Sequence, residues 1–191
     1  MNHDDPPAPT LRSMNTDRTK RAILKAAQHT FSRCGYAEAG LRDIAAKAKV
    51  NQALIARYYG SKLKLFEAAL EASLDVTHFT RTDRATFGAT IADAFCGAGK
   101  DAASSVPMLV FAASDSAARR SALAILQRKA IEPLELWFGG PEASERAAQL
   151  LMVVTGFFTY KVMLPLEPLR GTPTPATRAW LARTLQAIVD A

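Results

Sequence analysis

The stretch LRDIAAKAKVNQALIARYYGSK, residues 41–62, predicts two short helices joined by a tight turn. Its first half has apolar residues at intervals of three and four, which is the pattern of one helix face. These residues are Leu41, Ile44, Ala45 and Ala48. After Val50, a second short helix is predicted over residues 52–59, with Leu54 and Ile55 on its apolar side. Two short helices only a few residues apart form a helix-turn-helix, whose second helix fits the major groove of DNA.

Polar and basic side chains are concentrated on the second of these helices and just after it. Side chains of this kind hydrogen-bond to base edges or to phosphate oxygens. We expect base contacts at the start of the helix and phosphate contacts from Tyr58 and Lys62. The predicted DNA-contacting residues are Leu41, Arg42, Lys49, Asn51, Gln52, Ala53, Arg57, Tyr58 and Lys62.

The positive charge of the chain is confined to its N-terminal third. Residues 1–64 contain twelve Lys and Arg against five Asp and Glu, a net charge of +7. Residues 65–191 contain twelve basic and thirteen acidic residues, a net charge of −1, and the two values give the formal +6 of the whole chain. Charge alone would also fit a solvated basic face. Together with the two-helix pattern it predicts a DNA-binding protein.

Residues 16–66 carry a more specific set of motifs. These are F-x-x-x-G-Y at 31–36, LRDIA at 41–45, and RYYGSK at 57–62 followed by LF at 65–66. In this combination the stretch resembles the DNA-binding domain of the TetR (tetracycline repressor) family of bacterial transcriptional regulators. The remainder resembles the helical ligand-binding half of that family more loosely. The resemblance implies an all-α homodimer that represses transcription and leaves its operator DNA when a small molecule binds.

Three positions depart from the pattern of that family. Lys49 occupies a turn position where the family usually has glycine, and a left-handed side chain there costs roughly 1–2 kcal/mol. Gly40 replaces the usual Ser or Thr N-cap and is a weaker cap. Leu63 stands where an acidic residue is common. The departures concern turn geometry and phosphate contacts and leave the motif intact.

The chain is predicted to divide into three segments of an all-α fold. Residues 1–15 are polar and rich in proline, which predicts a disordered tail, and Met14 is an alternative start. Residues 16–60 form the helix-turn-helix domain, with Thr16 as cap of the first helix. Residues 61–191 form the ligand-binding and dimerisation domain. It begins with a fourth helix from Ser61 to about Phe79, which links the two domains.

Composition excludes several classes of protein. No run of eighteen apolar residues is present, so no membrane span is expected. The N-terminus has no apolar signal segment, which predicts a cytoplasmic protein. Cys34 and Cys96 form neither a zinc motif nor a disulfide framework, and Cys34 should lie near the surface. We therefore predict no metal and no cofactor.

The C-terminal half has helical periodicity throughout, and glycines and prolines divide it. The predicted helices cover residues 83–96, 101–113, 116–138, 142–164 and 174–190. The family resemblance implies a ligand between the helices of residues 61–138, where a pocket should be mostly apolar. Candidate ligand-binding residues are Phe87, Ile91, Phe95, Met108, Phe111, Leu126 and Trp137, although an aromatic stripe at this spacing also fits an ordinary core.

The run LLMVVTGFFTYKVML, residues 150–164, is the predicted dimer helix, and the last helix is its companion. The candidate interface residues are Leu150, Val153, Val154, Phe157, Lys161, Leu164, Trp180, Leu181 and Leu185. A buried central helix in a monomer is the alternative. Lys161 either extends to the surface from a buried stem or pairs with an anionic ligand or a partner carboxylate.

The sequence leaves two other functions open. A helical enzyme would need a base and a partner, but the three histidines (His3, His29 and His78) are scattered, and no phosphate loop or nucleophile motif is present. A DNA-binding protein without an effector would not need a large apolar second half. The prediction is therefore a ligand-responsive regulator, a repressor by family resemblance, with partners that are operator DNA, a mostly apolar effector and a second copy of itself.

Overall fold

A computed structural model describes residues 11–97 and 105–191, which fold into helices with no strand among them. The all-α prediction is confirmed. In these residues no helix is long and apolar enough to cross a membrane. The α-helices are α1 (Leu11–Glu38), α2 (Leu41–Ala48), α3 (Gln52–Tyr59), α4 (Lys62–Ser73), α5 (Thr77–Thr80), α6 (Phe87–Gly97), α7 (Ser105–Ala112), α8 (Ser116–Leu126), α9 (Glu132–Phe138), α10 (Ala143–Phe158) and α11 (Pro175–Asp190).

The N-terminal part is a small bundle in which α1 and α4 pack around the helix-turn-helix of α2 and α3. One to three apolar residues from each helix enter a common core, and all of them are excluded from solvent. These residues are Ile23, Ala27 and Phe31 of α1, Ile44 of α2, Ile55 of α3, and Leu65 and Phe66 of α4. Burying large apolar side chains contributes on the order of 1.5–3 kcal/mol each. This core holds α3 on the molecular surface.

The first helix begins earlier than the sequence analysis predicts. It starts at Leu11, so residues 11–15 are helical, whereas residues 1–10 of the predicted disordered tail lie outside the described residues. Thr16 is therefore inside the helix and does not cap it. The stretch after Pro9 has no glycine or proline to stop the helix. The Thr19 hydroxyl donates to the Asn15 carbonyl at 2.8 Å, an intrahelical bond.

The fourth helix is shorter than predicted. It ends at Ser73, and residues 74–76 separate it from the single turn of α5. Asp75 causes this break, because its carboxylate accepts a hydrogen bond from the Thr77 backbone N–H at 2.8 Å. A side chain that bonds to the backbone in this way competes with the helical hydrogen-bond ladder. The prediction of one continuous helix to about Phe79 was wrong.

Residues 116–138 form one long helical unit, as predicted, with a π-helical turn in the middle. The turn, Gln127–Ile131, lies between α8 and α9 and precedes Pro133. Proline has no N–H to donate to the carbonyl four residues earlier, so the regular ladder cannot continue through this position. Residues 142–164 likewise become α10 followed by a π-helical turn, Thr159–Met163.

The C-terminal helices enclose the remainder of one apolar cluster, which is continuous with the core of the N-terminal part. The α6 and α11 helices pack closely because Gly88 has no side chain. A Cβ atom at this position would collide with the Ala182 carbonyl oxygen. The Gln186 side chain accepts from the Gly88 N–H at 2.9 Å and so fixes this crossing. The predicted helix 101–113 is observed from Ser105 onward, and its first residues lie outside the described range.

The two halves are joined directly as well as through α4. The α1 helix is kinked at Gly35, whose φ of 75° favours glycine, and a Cβ there would lie 2.7 Å from the Cβ of Phe111 in α7. The Ser121 hydroxyl donates to the Glu67 carboxylate at 2.7 Å, which ties α8 to α4. The orientation of the DNA-binding part is therefore coupled to packing in the second half.

Candidate nucleic-acid interface and cavity

The second helix of the helix-turn-helix begins with a side-chain cap. The Oδ1 atom of Asn51 accepts from the Ala53 N–H at 2.8 Å, which satisfies one of the unpaired donors at the start of α3. Asn51 was predicted to contact bases. The sequence analysis overlooked that an asparagine just before a helix is also a typical N-cap. Its amide NH2 is still exposed and can reach DNA, but the side chain is no longer free to turn.

The outer face of α3 is a shallow surface with a few long side chains. Gln52, Ala53, Ala56 and Arg57 are exposed, whereas Ile55 on the opposite side is buried. The two alanines allow the helix backbone to approach a groove closely, and Gln52 and Arg57 supply donors for base edges or phosphates. Four of the predicted DNA-contacting positions, 51–53 and 57, therefore lie on one accessible surface.

The aromatic residues at the end of α3 fix it to α1. The Tyr59 hydroxyl donates to the Lys20 carbonyl at 3.0 Å, and the Lys20 ammonium lies 5.6 Å from the Tyr58 ring centroid. Tyr58 is consequently half-buried, with only part of its ring accessible. Burial raises the pKa of the Tyr59 hydroxyl. These contacts orient α3 relative to the long first helix.

The turn between α2 and α3 has a left-handed residue at the position where the TetR family usually has glycine. Lys49 has φ 57° and ψ 42°. Its N–H donates to the Ala46 carbonyl, and the Val50 N–H donates to the Ala45 carbonyl, at 3.1 and 3.0 Å. This pair of bonds is the Schellman motif that ends many helices. The Lys49 side chain is exposed beside α3, where it can meet a phosphate.

We expect Lys49→Gly to change stability and DNA binding in opposite directions. Glycine removes the left-handed strain, so the free energy of unfolding should rise by about 0.5–1 kcal/mol. Loss of the ammonium should weaken binding to any DNA and reduce the log–log salt slope by about one. Thermal melting and salt-dependent anisotropy measure the two effects. A variant that melts lower than the parent would contradict the assigned strain.

Lys62 has a structural contact in addition to its predicted role. Its ammonium donates to the Ala37 carbonyl at 3.0 Å and lies 4.8 Å from the Tyr36 ring centroid. It thus connects the start of α4 to the last turn of α1. Of the two remaining candidates, Arg42 is exposed in the first turn of α2, and Leu41 is half-buried against the core. Leu41 can therefore offer DNA little beyond its backbone N–H.

The second half contains a cavity of about 540 Å³ beside the end of α4. Most of its walls are apolar, and α6, α7, α8 and α10 contribute them. The break after α4 closes one side with residues 73–76, His78 and Phe79. The remaining lining residues are Ala94, Phe95, Ser105, Val106, Leu109, Val110, Leu126, Leu151, Val154, Thr155 and Phe158. A volume of this size suits a small organic molecule.

Only two of the seven predicted ligand-binding residues, Phe95 and Leu126, line this cavity. Phe111 packs instead on the Gly35 kink. The other four form parts of the core or its edge: Phe87, Ile91, Met108 and Trp137. The Phe87 and Trp137 ring centroids are 5.2 Å apart, and the Arg84 guanidinium covers Trp137 at 4.7 Å. The sequence analysis did not predict the break after α4, so the lining residues 73–76 were missed.

A second groove, of about 620 Å³, lies between α6 and α11. It has the larger volume, but Arg178 and Asp93 form an ion pair at 2.5 Å within it, and none of its walls comes from α4. The 540 Å³ cavity is therefore the stronger candidate for a site that communicates with the DNA-binding part.

Five of the nine predicted dimer residues belong to the core of one protomer. These are Leu150, Val154, Phe157, Leu181 and Leu185. Val153 and Lys161 are half-buried, and only Leu164 and Trp180 are exposed. The stripe at three- and four-residue spacing faces inward. The accessible apolar face of α10 and its π-helical extension carries Met152 and Tyr160 instead, with Gly156 between them.

Lys161 is used inside the protomer. Its ammonium donates to the carbonyls of Phe95 and Cys96, at 2.6 and 3.0 Å, near the C-terminal end of α6. A cation at this end of a helix interacts favourably with the helix dipole. Burial lowers the pKa of Lys161, and interaction with Cys96 acts in the opposite direction. These two acceptors are backbone carbonyls of the same chain, a contact that the sequence analysis did not predict.

Comparison with known proteins agrees with this architecture. Residues 23–69 match the sequence model for bacterial regulatory proteins of the tetR family, and residues 85–189 match the tetracyclin repressor-like C-terminal domain. The HTH-type transcriptional repressor NicS of Pseudomonas putida is 43% identical over 61 residues, which cover 32% of this chain and 29% of NicS. The chain thus matches about a third of the length of its curated relatives.

Solved structures show the same fold over nearly the whole chain. GusR of Salmonella enterica has a TM-score of 0.65 at 17% identity. The match covers 91% of this chain and 96% of the GusR chain. The multidrug binding protein EbrR, solved with ethidium, has a TM-score of 0.63 at 19% identity. The match covers 89% of this chain and 98% of the EbrR chain. Since the C-terminal sequence model alone spans more than half of the chain, this protein belongs to the TetR family of DNA-binding transcriptional regulators, which is not an enzyme family.

Proposed function

We propose that the protein is a homodimeric repressor whose affinity for a pseudo-palindromic operator falls when a mostly apolar small molecule binds. One observation carries the proposal. The 540 Å³ cavity is closed on one side by the end of α4, and the start of the same helix is part of the core that holds α3. Repression is supported by the relatives, since NicS is a repressor, and an effector is supported by EbrR, which holds ethidium.

The same arrangement supports the domain division predicted from the sequence. Residues 16–60 form the DNA-binding part, and residues 61–191 form the effector and dimer part, with α4 shared at the boundary. Leu65 and Phe66 are fully buried near the start of α4, whereas Leu74, just beyond its end, lines the cavity. A ligand that prefers one position of Leu74 therefore also prefers one position of α3. Such a difference in affinity between two states, typically 1–3 kcal/mol, is what lowers operator affinity.

Filling the cavity from its accessible side tests the effector site. Ala94 is exposed on α6 and lines the cavity, so Ala94→Trp should occupy the site without disturbing the core. We expect the variant to bind operator normally and to lose its response to effectors. Ala89→Trp is the matched control. Ala89 is also an exposed alanine on α6, but it lines the second groove and not the cavity.

The experiment uses an operator selected from random-sequence DNA and a panel of apolar and polar compounds. Fluorescence anisotropy reports how much of the labelled operator remains bound. Release from the parent and from Ala89→Trp, but not from Ala94→Trp, is the expected result. If no compound in a broad panel released the parent, a DNA-binding protein without an effector would be the better description.

A further inference from the structure

The charge of the cavity walls narrows the class of effector. Among the described residues, seventeen line the cavity, and they include one carboxylate, Asp75, and neither lysine nor arginine. Lys129 is close enough to Asp75 to help lower the pKa of that carboxyl, but it is exposed and is not a lining residue. The described walls therefore carry one negative charge and no fixed positive charge.

Asp75 is held in its ionised form by the turn that it creates. Hydrogen bonds from Thr77 lower the pKa of the Asp75 carboxyl, and these bonds have a larger effect than nearby charges. The bond from the Thr77 backbone N–H is 2.8 Å long. Asp75 is exposed rather than enclosed, so it lies at the edge of the cavity and keeps oxygen lone pairs for a ligand.

The second titratable group of the cavity does not add positive charge at neutral pH. Burial lowers the pKa of His78, and attraction by Asp75 only partly offsets this effect. His78 is exposed overall, but its ring centroid lies only 3.9 Å from the ring centroid of Phe79. One face of the imidazole is therefore desolvated by an aromatic ring, and the neutral form is favoured.

Three aromatic rings also line the cavity. Phe79, Phe95 and Phe158 all line the cavity, with centroids 5.8 Å apart for the first two and 4.9 Å apart for the last two. The faces of such rings attract cations, and the attraction is stronger where water is excluded. A carboxylate at the edge and phenyl rings inside favour a cation that also carries apolar groups.

We infer that the effector is a lipophilic cation, a tertiary or quaternary amine or a related onium ion, whose charge lies near Asp75 and whose apolar groups fill the phenylalanine-lined space. The inference rests on the proposed function, because it names the chemical class that the effector cavity accepts. A cation bound at Asp75 would also contact the turn at which α4 ends, and α4 leads to the DNA-binding part.

Two probe ions of nearly the same shape and opposite charge test the inference. Tetraphenylphosphonium and tetraphenylborate are titrated into the full-length protein by isothermal calorimetry. Binding to the cavity is defined as the part that Ala94→Trp abolishes, because the basic N-terminal third can also attract the borate. We expect the cation to bind the cavity on the order of tenfold more tightly than the anion.

Asp75→Asn isolates the charge. Asparagine keeps an oxygen that can accept from the Thr77 N–H, so the turn should persist while the negative charge is lost. We expect affinity for tetraphenylphosphonium to fall by about tenfold and affinity for tetraphenylborate to stay the same or rise. Glu132→Gln is the control, since Glu132 is an exposed carboxylate outside the cavity walls, and it should change neither affinity.

The outcomes distinguish this inference from the proposed function. Equal or tighter binding of the anion in the cavity, or an unchanged cation affinity in Asp75→Asn, overturns the cationic class. If neutral or anionic compounds then release the operator, the proposed function stands and only the cationic class of effector is wrong. If the cation binds in an Asp75-dependent manner but leaves the operator bound, the cation site is supported and effector-controlled release fails.

Discussion

Met152→Glu is expected to convert the proposed homodimer to a monomer and to lower operator affinity by roughly 10²- to 10⁴-fold, the gain that two linked binding sites normally provide. Met152 is 66% exposed in the protomer, so the substitution leaves the core intact. It lies on the outer face of α10, where Tyr160 and Gly156 continue the surface, and Trp180 of α11 is also exposed. This face is our proposed dimer interface.

The effect should be large because the interface is expected to be two-fold symmetric. In such an interface the same surface of both copies meets, so one substitution introduces two charges. Each carboxylate would be desolvated, and the two would repel each other if they lie near the axis. Gly156 offers open space next to Met152, which permits a helix of the partner to approach closely.

Leu123→Glu is the matched control. Leu123 is 60% exposed on α8, a helix outside the proposed interface, so the same chemical change should leave the dimer intact. Sedimentation velocity measures the assembly, and circular dichroism confirms that both variants are folded. A Met152→Glu protein that remains dimeric at micromolar concentration would refute the interface. Phe157→Glu is a poor test, because Phe157 is only 6% exposed and its charge would disrupt the protomer core.

Helix positions were predictable wherever local chemistry and periodicity agree. The last helix was expected at 174–190 and is observed at Pro175–Asp190, because Thr174 caps it and proline suits its first turn. The turn at Lys49 had a sequence signal too, because the family usually has glycine at this position and glycine suits a left-handed conformation. In both cases a few neighbouring residues determine the conformation.

The orientation of helix faces was not predictable in the same way. The run 150–164 is apolar on nearly all sides, so periodicity could not show which side packs inside the protomer. The structure buries Leu150 and Phe157 and exposes Met152. Likewise, Phe111 was a reasonable pocket residue by spacing, but it packs on Gly35, which is distant in sequence. Long-range packing of this kind leaves no local signature.

The break after α4 had a local cause that was overlooked. Asp, Val and Thr at 75–77 are poor helix formers, and aspartate two residues before an N–H can form a turn with it. Leu74 lies four residues after Leu70 and continues the helical spacing, so the break that follows it was missed. Because residues 73–76 line the cavity, this omission also hid part of the candidate effector site.

Gln52→Ala and Lys62→Ala are expected to weaken DNA binding in two different ways. Gln52 is exposed at the first residue of α3, where a side chain reaches base edges. Its loss should cost on the order of 1–3 kcal/mol at the operator and little on random DNA. Lys62 should contact a phosphate, so its loss should weaken all DNA binding and reduce the log–log salt slope by about one.

The contacts of Lys62 require two controls. Because its ammonium also binds the Ala37 carbonyl and covers Tyr36, the alanine variant should melt at a lower temperature than the parent. Affinities are therefore compared well below the melting transition. Lys129→Ala removes the same charge from an exposed site in the C-terminal half, and it should leave the salt slope unchanged.

The salt dependence separates a lost contact from a displaced helix. A missing phosphate contact releases one counterion fewer, so the slope changes while the ratio of operator to random-DNA affinity is kept. If Lys62→Ala instead moved α3, base contacts would be lost too, and that ratio would fall as it does in Gln52→Ala. Identical behaviour of the two variants on both DNAs would mean that Gln52 does not read bases, and the exposed Arg57 and the Asn51 amide would then have to carry recognition.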